Sequence, residues 1–164
     1  MHIWNPEIRQ WVFELIINLI GEIRKQDDQI VFPEMIAINE WPIGGIQHPH
    51  LDTYSNQQFE TGQLEDKPSR EWTCILYLND DFRGGRTYIP EGDEVHAPQI
   101  FEPEVGSGLL FQGIYIPHGV EKVRRNSRHT ISLWFTTDNN RCMPWFPVDD
   151  LNQNEDTFRL QDQQ

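Results

Sequence analysis

This 164-residue sequence predicts a mainly β fold, a sandwich or closed jelly roll, supported by one N-terminal helix. Two observations lead there. A single run of helical periodicity opens the chain. From Ile30 onward the sequence breaks into many short β-like runs separated by Gly, Pro, Asn and Asp, with no second helical block. The length suits one domain, 1–164, with room for a real core. Hydrophobic residues make up 37% of the chain, with six Trp and nine Phe, so large aromatic side chains must supply much of the buried area.

The helix is expected over about residues 6–25. Asn5 is a good N-cap, Pro6 suits the first turn and Glu7 complements the helix dipole. Ile8, Trp11, Val12, Leu15, Ile16, Leu19, Ile20 and Ile23 recur at helical spacing, a stripe suited to the outer face of a sheet. A β core of about 35–136 follows, with strands expected at 35–40, 46–52, 72–78, 86–89, 98–101, 108–112, 120–124 and 128–136. Asn79-Asp80-Asp81 and Arg83-Gly84-Gly85 read as turns. The polar stretch 53–69 lacks periodicity and reads as a long loop. The tail 137–164 is polar apart from Trp145-Phe146-Pro147, and from Asn152 onward it reads as poorly ordered.

A formal net charge of −13 argues against a duplex-binding surface, because phosphate contacts dominate nucleic-acid affinity. The one basic cluster, Lys122, Arg124, Arg125 and Arg128, reads as a solvated hairpin with one inward arginine. Two cysteines make no disulfide scaffold: Cys74 reads as a small buried hydrophobe and Cys142 lies in the polar tail. No signal-peptide pattern is visible in the first residues. The apolar stretch 11–20 contains Glu14 and Asn18 and falls short of the ~20 residues needed to span a bilayer. The expectation is a soluble cytoplasmic protein with no membrane or nucleic-acid partner; no oligomeric state is implied.

The chemistry concentrates in an ordered set. His50 and Asp52 stand two apart in a β-like run, His118 follows in Pro117-His118-Gly119, and Arg128 comes shortly after. Residues i and i+2 share one face of a strand, so His50 and Asp52 would project together. A His-x-Asp pair with a distant His is the ligand set of the facial triad that holds non-haem Fe(II) and leaves positions open. An arginine after the distal histidine suits a dicarboxylic acid, since guanidinium pairs with carboxylate through two parallel hydrogen bonds. In 128–135 the alternation puts Arg128, Thr130, Ser132 and Trp134 on one face and His129, Ile131, Leu133 and Phe135 on the other. His48 reads as a rim residue of the same pocket, and His2, His96 and His129 as structural or exposed.

Thr73-Cys74-Ile75-Leu76-Tyr77-Leu78-Asn79-Asp80, then Gly84-Gly85-Arg86-Thr87 and Pro90-Glu91-Gly92, resembles the 2-oxoglutarate and Fe(II)-dependent dioxygenases, within them the prolyl 4-hydroxylase branch and closest to the hypoxia-type prolyl hydroxylases. The resemblance runs from about Trp41 to Phe135. It implies a double-stranded β-helix, or jelly roll, with Fe(II) on His50, Asp52 and His118 and 2-oxoglutarate and O2 as co-substrates. Ascorbate is an optional addition. It further implies that Arg128 pairs with the distal carboxylate of 2-oxoglutarate, that Tyr77 donates a phenolic hydrogen bond to it, and that Thr130 assists. Trp41 stands where relatives carry a tyrosine, and the collagen-type enzymes carry lysine in place of Arg128. The implied activity is hydroxylation of a prolyl residue in a peptide or protein, with a lid at 53–69. Arg70, Arg83 and Arg86 flank the same mouth, either to attract an acidic peptide or as solvated turn charges. A dioxygenase of a free amino acid or other small molecule, and a non-enzymatic jelly-roll binding module, are the competing expectations.

Overall fold

The structure, a computed structural model, describes residues 5–52, 70–90 and 97–147. The expected lid, His2, His96, most of the Pro90-Glu91-Gly92 turn and the tail from Asn152 lie outside the described residues.

Helix α1 spans Pro6–Gln26, and the Asn5 side chain accepts a hydrogen bond from the Glu7 N–H at 2.8 Å, satisfying one orphan donor of the first turn. Val12, Ile16, Ile20 and Ile23 are buried along one stripe, each burial contributing roughly 1.5–3 kcal/mol. Ile8 and Trp11 lie at the margin of that stripe and stay about half exposed. Among the described residues no helix is long and apolar enough to cross a membrane.

Ten strands follow among the described residues: β1 Phe32–Trp41, β2 Gln47–His50, β3 Trp72–Tyr77, β4 Arg83–Gly84, β5 Thr87–Ile89, β6 Gln99–Phe101, β7 Gly108–Phe111, β8 His118–Val120, β9 Val123–Arg125 and β10 Arg128–Thr136. They form one four-stranded sheet in the order β1-β10-β3-β7, another in the order β2-β8-β5-β6, and a two-stranded ribbon β4-β9. The run expected at 120–124 is two strands, because the chain turns at Glu121-Lys122 and Val123–Arg125 pairs elsewhere, with Arg83–Gly84. The segment read as a plain turn there is therefore itself a short strand. Gly84 and Gly85 sit at φ 66° and 63°, a left-handed conformation that glycine adopts without a Cβ penalty, and this brings the ribbon together.

The first sheet divides chemistry from core by its pleat. Antiparallel partners share a face, and the register pairs Trp41 with Arg128, Asn39 and Tyr77 with Thr130, Ile75 with Ser132 and Thr73 with Trp134. These residues form the inner face. Outward point Ile131, Leu133 and Phe135 from β10 and Trp72 and Cys74 from β3, forming one apolar cluster with the buried stripe of α1. Met143 and Phe146 join it, with the Phe13 and Phe146 rings 5.5 Å apart. The helix thus covers the outer side of the sheet whose inner side carries the polar residues.

Candidate active site

His50 and His118 face each other as a register pair of β2 and β8, their rings 4.5 Å apart. Asp52 reaches them from just beyond the strand. β2 ends at His50, and Asp52 lies in a turn whose N–H donates to the Gly113 carbonyl at 3.0 Å. Asp52 Oδ1 is 3.6 Å from His50 Nε2 and 3.8 Å from His118 Nε2. The three ligand atoms lie within 4.8 Å of one another, so the cluster can hold a metal ion.

The surroundings prepare the ligand atoms. Each imidazole engages a backbone carbonyl through Nδ1, His50 with His48 and His118 with Ile116, both at 3.1 Å, which sets Nδ1 as the protonated nitrogen and turns the Nε2 lone pair to the cluster. Thr73 Oγ1 donates to Asp52 Oδ2 at 2.5 Å. Gln47 Nε2 is 3.2 Å from His50 Nε2, so metal capture there displaces one amide hydrogen bond. Burial opposes a charge on Asp52, but His50, His118 and Thr73 outweigh it and hold the carboxyl below its ordinary value. Burial likewise opposes charge on His50, where Asp52 and the His48 carbonyl prevail and raise its pKa. On the more deeply set His118 burial prevails and lowers it, keeping the ring neutral as a ligand. His48 contributes only its carbonyl; its side chain is exposed and outside the cluster.

Arg128 is 1% exposed, as are Tyr77, Thr87 and Thr130. The guanidinium lies 5.4 Å from the Tyr77 ring centre and 5.7 Å from that of Trp41, with Nη2 3.2 Å from Thr87 Oγ1. Its Nε has no hydrogen-bond partner, and no carboxylate pairs with it among the described residues. Burial lowers its pKa. A buried cation left this way is costly and suits an incoming anion. The Tyr77 phenol, expected to point at a co-substrate carboxylate, donates to Thr87 Oγ1 at 2.8 Å. Thr130 shares the inner face with both, between Asn39 and Tyr77 in the register.

Thr73, Gly113 and Thr87 are site residues that sequence reasoning did not single out. Thr73 carried a signal, since it shares strand parity with Tyr77; Thr87 carried only its place in the Gly84-Gly85-Arg86-Thr87 segment, and Gly113 carried none without the fold. Arg86 is neither a free charge for an acidic peptide nor a merely solvated one: it is bound by Glu121 at 2.6 and 2.8 Å and by Glu102 at 2.7 Å. Arg70 pairs with Glu34 at 3.2 Å and stacks 4.7 Å from the Trp134 ring centre. Lys122, Arg124 and Arg125 are exposed while Arg128 is buried, the solvated hairpin with one inward arginine.

The sequence pattern of the 2OG-Fe(II) oxygenase superfamily matches residues 36–136, more than half of the chain. Prolyl 3-hydroxylase 1 of Rattus norvegicus and of Homo sapiens are each 43% identical to it over 70 residues, 42% of this chain and 10% of those proteins. Human prolyl 3-hydroxylase 3 is 32% identical over 100 residues, 57% of this chain and 14% of that protein. The chain thus spans about a tenth of the length of the curated relatives it matches first. Among solved structures, a 2OG-Fe(II) oxygenase family oxidoreductase from Burkholderia pseudomallei superposes with a TM-score of 0.56 at 23% identity, covering 79% of this chain and 61% of that one. A prolyl hydroxylase from Trichoplax adhaerens, solved with a hypoxia inducible factor oxygen degradation domain peptide, gives 0.55 at 20% identity, covering 82% and 56%. At these identities the structures speak for the shared jelly-roll fold.

Proposed function

Because the chain belongs to the 2OG-Fe(II) oxygenase superfamily, we propose that it hydroxylates a prolyl residue in a peptide or protein, with Fe(II) on His50, Asp52 and His118 and 2-oxoglutarate held by Arg128. The observation that carries this reading is the fully buried Arg128, a cation with no carboxylate of its own among the described residues, on a face that looks toward a His-Asp-His cluster. When bound, the metal and co-substrate supply the redox chemistry: O2 is consumed, 2-oxoglutarate leaves as succinate and CO2, and one oxygen atom enters the substrate C–H bond.

The chain's own residues supply geometry and charge. The His48 and Ile116 carbonyls hold each imidazole so that Nε2 faces the ion, and Thr73 holds one Asp52 oxygen so that the other is directed to it. Arg128 orients the diacid from its far end by charge and by paired donors. Tyr77 and Thr87 keep water out around it, both being buried. A peptidyl proline is supported by the prolyl 3-hydroxylases of rat and human and by the peptide in the Trichoplax adhaerens structure. Ascorbate belongs to the same reading as an addition that sustains turnover.

The test is succinate release with Fe(II) and 2-oxoglutarate, comparing proline-containing peptides with free proline and other amino acids, and with ascorbate added or withheld. Mass spectrometry should find one added oxygen on a peptide, and hydrolysis then tells 3- from 4-hydroxyproline. Turnover on a free amino acid with none on any peptide moves the chain to the small-molecule class. Absence of 2-oxoglutarate binding moves it to the non-enzymatic one.

A further inference from the structure

We propose that Asn79 is a positioning residue: its side-chain amide grips the backbone on both sides of Arg128 and keeps that guanidinium turned inward. The inference rests on the reading of Arg128 above and deepens it. Arg128 has a weak anchorage for a buried cation. It opens β10 two residues after the exposed run Arg124-Arg125-Asn126, and its partner Trp41 is the last residue of β1. On the other side the ladder with β3 ends at Tyr77 and Thr130, so Arg128 lies beyond the last register pair. Strand ends held this lightly fray. Fraying here would carry the arginine out to water, where an unpaired cation is far better solvated.

Asn79 closes that gap from just past the end of β3. The Leu78 N–H still donates to the His129 carbonyl at 3.0 Å, and from there a side chain takes over the ladder. Asn79 Oδ1 accepts from the His129 N–H at 2.8 Å, and Nδ2 donates to the Ser127 carbonyl at 2.9 Å. Ser127 and His129 are the two chain neighbours of Arg128. The second amide hydrogen goes to Asp81 Oδ1 at 2.7 Å, so the oxygen and both N–H groups are engaged. None of these bonds goes to the Arg128 side chain, to Tyr77 or to the metal cluster, so Asn79 acts through the backbone alone. A second asparagine gives the contrast. Asn126, at φ 54°, donates from Nδ2 to the Asp81 carbonyl at 2.8 Å and ties the same turn to the same loop without touching either neighbour of Arg128. Holding the turn and holding the arginine are thus separate tasks, done by separate side chains.

The experiment compares wild type, Asn79→Ala, Asn79→Asp, Asn126→Gly and Arg128→Ala. Phenylglyoxal labelling of Arg128, read by peptide mass spectrometry, reports whether the guanidinium is inward. Calorimetry on the Mn(II)-loaded protein reads 2-oxoglutarate affinity without turnover, and a Mn(II) titration reads the metal cluster. Asn79→Ala should open Arg128 to the reagent, from which burial protects it in wild type. It should weaken 2-oxoglutarate binding about tenfold, because apparent affinity falls with the fraction of molecules whose arginine is in place. Mn(II) affinity should hold, and in turnover the KM for 2-oxoglutarate should rise while kcat stays. Asn126→Gly, which suits the left-handed backbone, should match wild type in every measurement. Should Asn79→Ala not fold, Asn79→Asp, which keeps the acceptor and loses both donors, reads the loss of the Ser127 bond. A protected Arg128 and wild-type affinity in Asn79→Ala, with binding lost in Arg128→Ala, overturn the inference and leave the diacid reading standing. Equal losses in Asn79→Ala and Asn126→Gly assign the effect to a loosened turn and overturn it too. Unchanged affinity in Arg128→Ala removes the diacid reading, and this inference with it.

Discussion

Thr73 holds one oxygen of Asp52 and leaves the other to the two imidazoles: the Thr73 Oγ1 to Asp52 Oδ2 bond is 2.5 Å, while Oδ1 is the atom 3.6 and 3.8 Å from His50 and His118. Removing this partner with Thr73→Val should let the carboxylate rotate and its pKa rise. Metal affinity is expected to fall about 10–100-fold, as it does when an outer partner of a ligand is lost. Calorimetry with Mn(II) measures it, and an unchanged affinity would show that the turn at Asp52 alone fixes the carboxylate.

Gly113 backs the same carboxylate. A Cβ there would collide with Thr73 Oγ1 and come within 2.7 Å of Asp52 Oδ2. Gly113→Ala is expected to cost about 1–3 kcal/mol of stability, the usual range for overpacking, and to weaken metal binding in parallel. Chemical denaturation and Mn(II) titration on one sample check both.

His50→Ala, Asp52→Ala and His118→Ala should each abolish tight Mn(II) or Fe(II) binding, since two ligands hold a labile divalent ion poorly. His48→Ala should not, because His48 serves His50 through its backbone carbonyl, which alanine keeps. Loss of binding in His48→Ala would mean the ligand set is wrong.

Arg128→Ala should raise the 2-oxoglutarate KM steeply, a loss of about 2–5 kcal/mol for a desolvated charge pair. Tyr77→Phe should cost less, about 1 kcal/mol, as it removes one neutral donor whose observed acceptor is Thr87. Steady-state kinetics with varied 2-oxoglutarate separates the two.

Arg86 holds the Glu121 carboxyl below its ordinary range, foremost by hydrogen bonding. A depressed carboxyl stabilises the fold fully above the unfolded value, about 4.3, and that contribution disappears as the pH falls through the lower folded value. Glu121→Gln should therefore lower the stability at neutral pH, on the order of 1 kcal/mol for a partly exposed pair, read from the denaturation midpoint. The difference from wild type should close in acid. A difference that persists there would place the effect in packing instead.

The inner and outer faces of β10 were legible in the sequence because alternation has only two solutions and one of them left an arginine among hydroxyls. The helix was legible through its cap and its stripe. The His-x-Asp spacing was legible too, although Asp52 reaches the cluster from a turn rather than from the strand. What alternation cannot express is contact between sheets. Thr87 and Arg128 are 41 residues apart and meet only because two sheets face each other. The split of 120–124 was hidden for a related reason: Val123–Arg125 finds its partner at Arg83–Gly84, where two glycines mimic a simple turn. The pairing of Arg86 could not be read from the sequence because Glu121 and Glu102 are distant in sequence and close in space.

The packing of Phe146 and Met143 into the cluster beneath α1 has a practical meaning for anyone trimming this chain. The superfamily pattern stops at residue 136, and a boundary drawn there looks natural. Yet Phe146 is buried against Phe13, the Met143 N–H donates to the Pro33 carbonyl at 2.8 Å, and Arg141 reaches Glu34 at 2.8 Å. A fragment ending at 136 would keep every residue proposed to do chemistry and still strip the opening helix of its clasp, exposing oily surface that invites aggregation. The unit that folds is longer than the stretch the superfamily pattern matches, and it closes only where the chain after β10 returns to meet its own beginning.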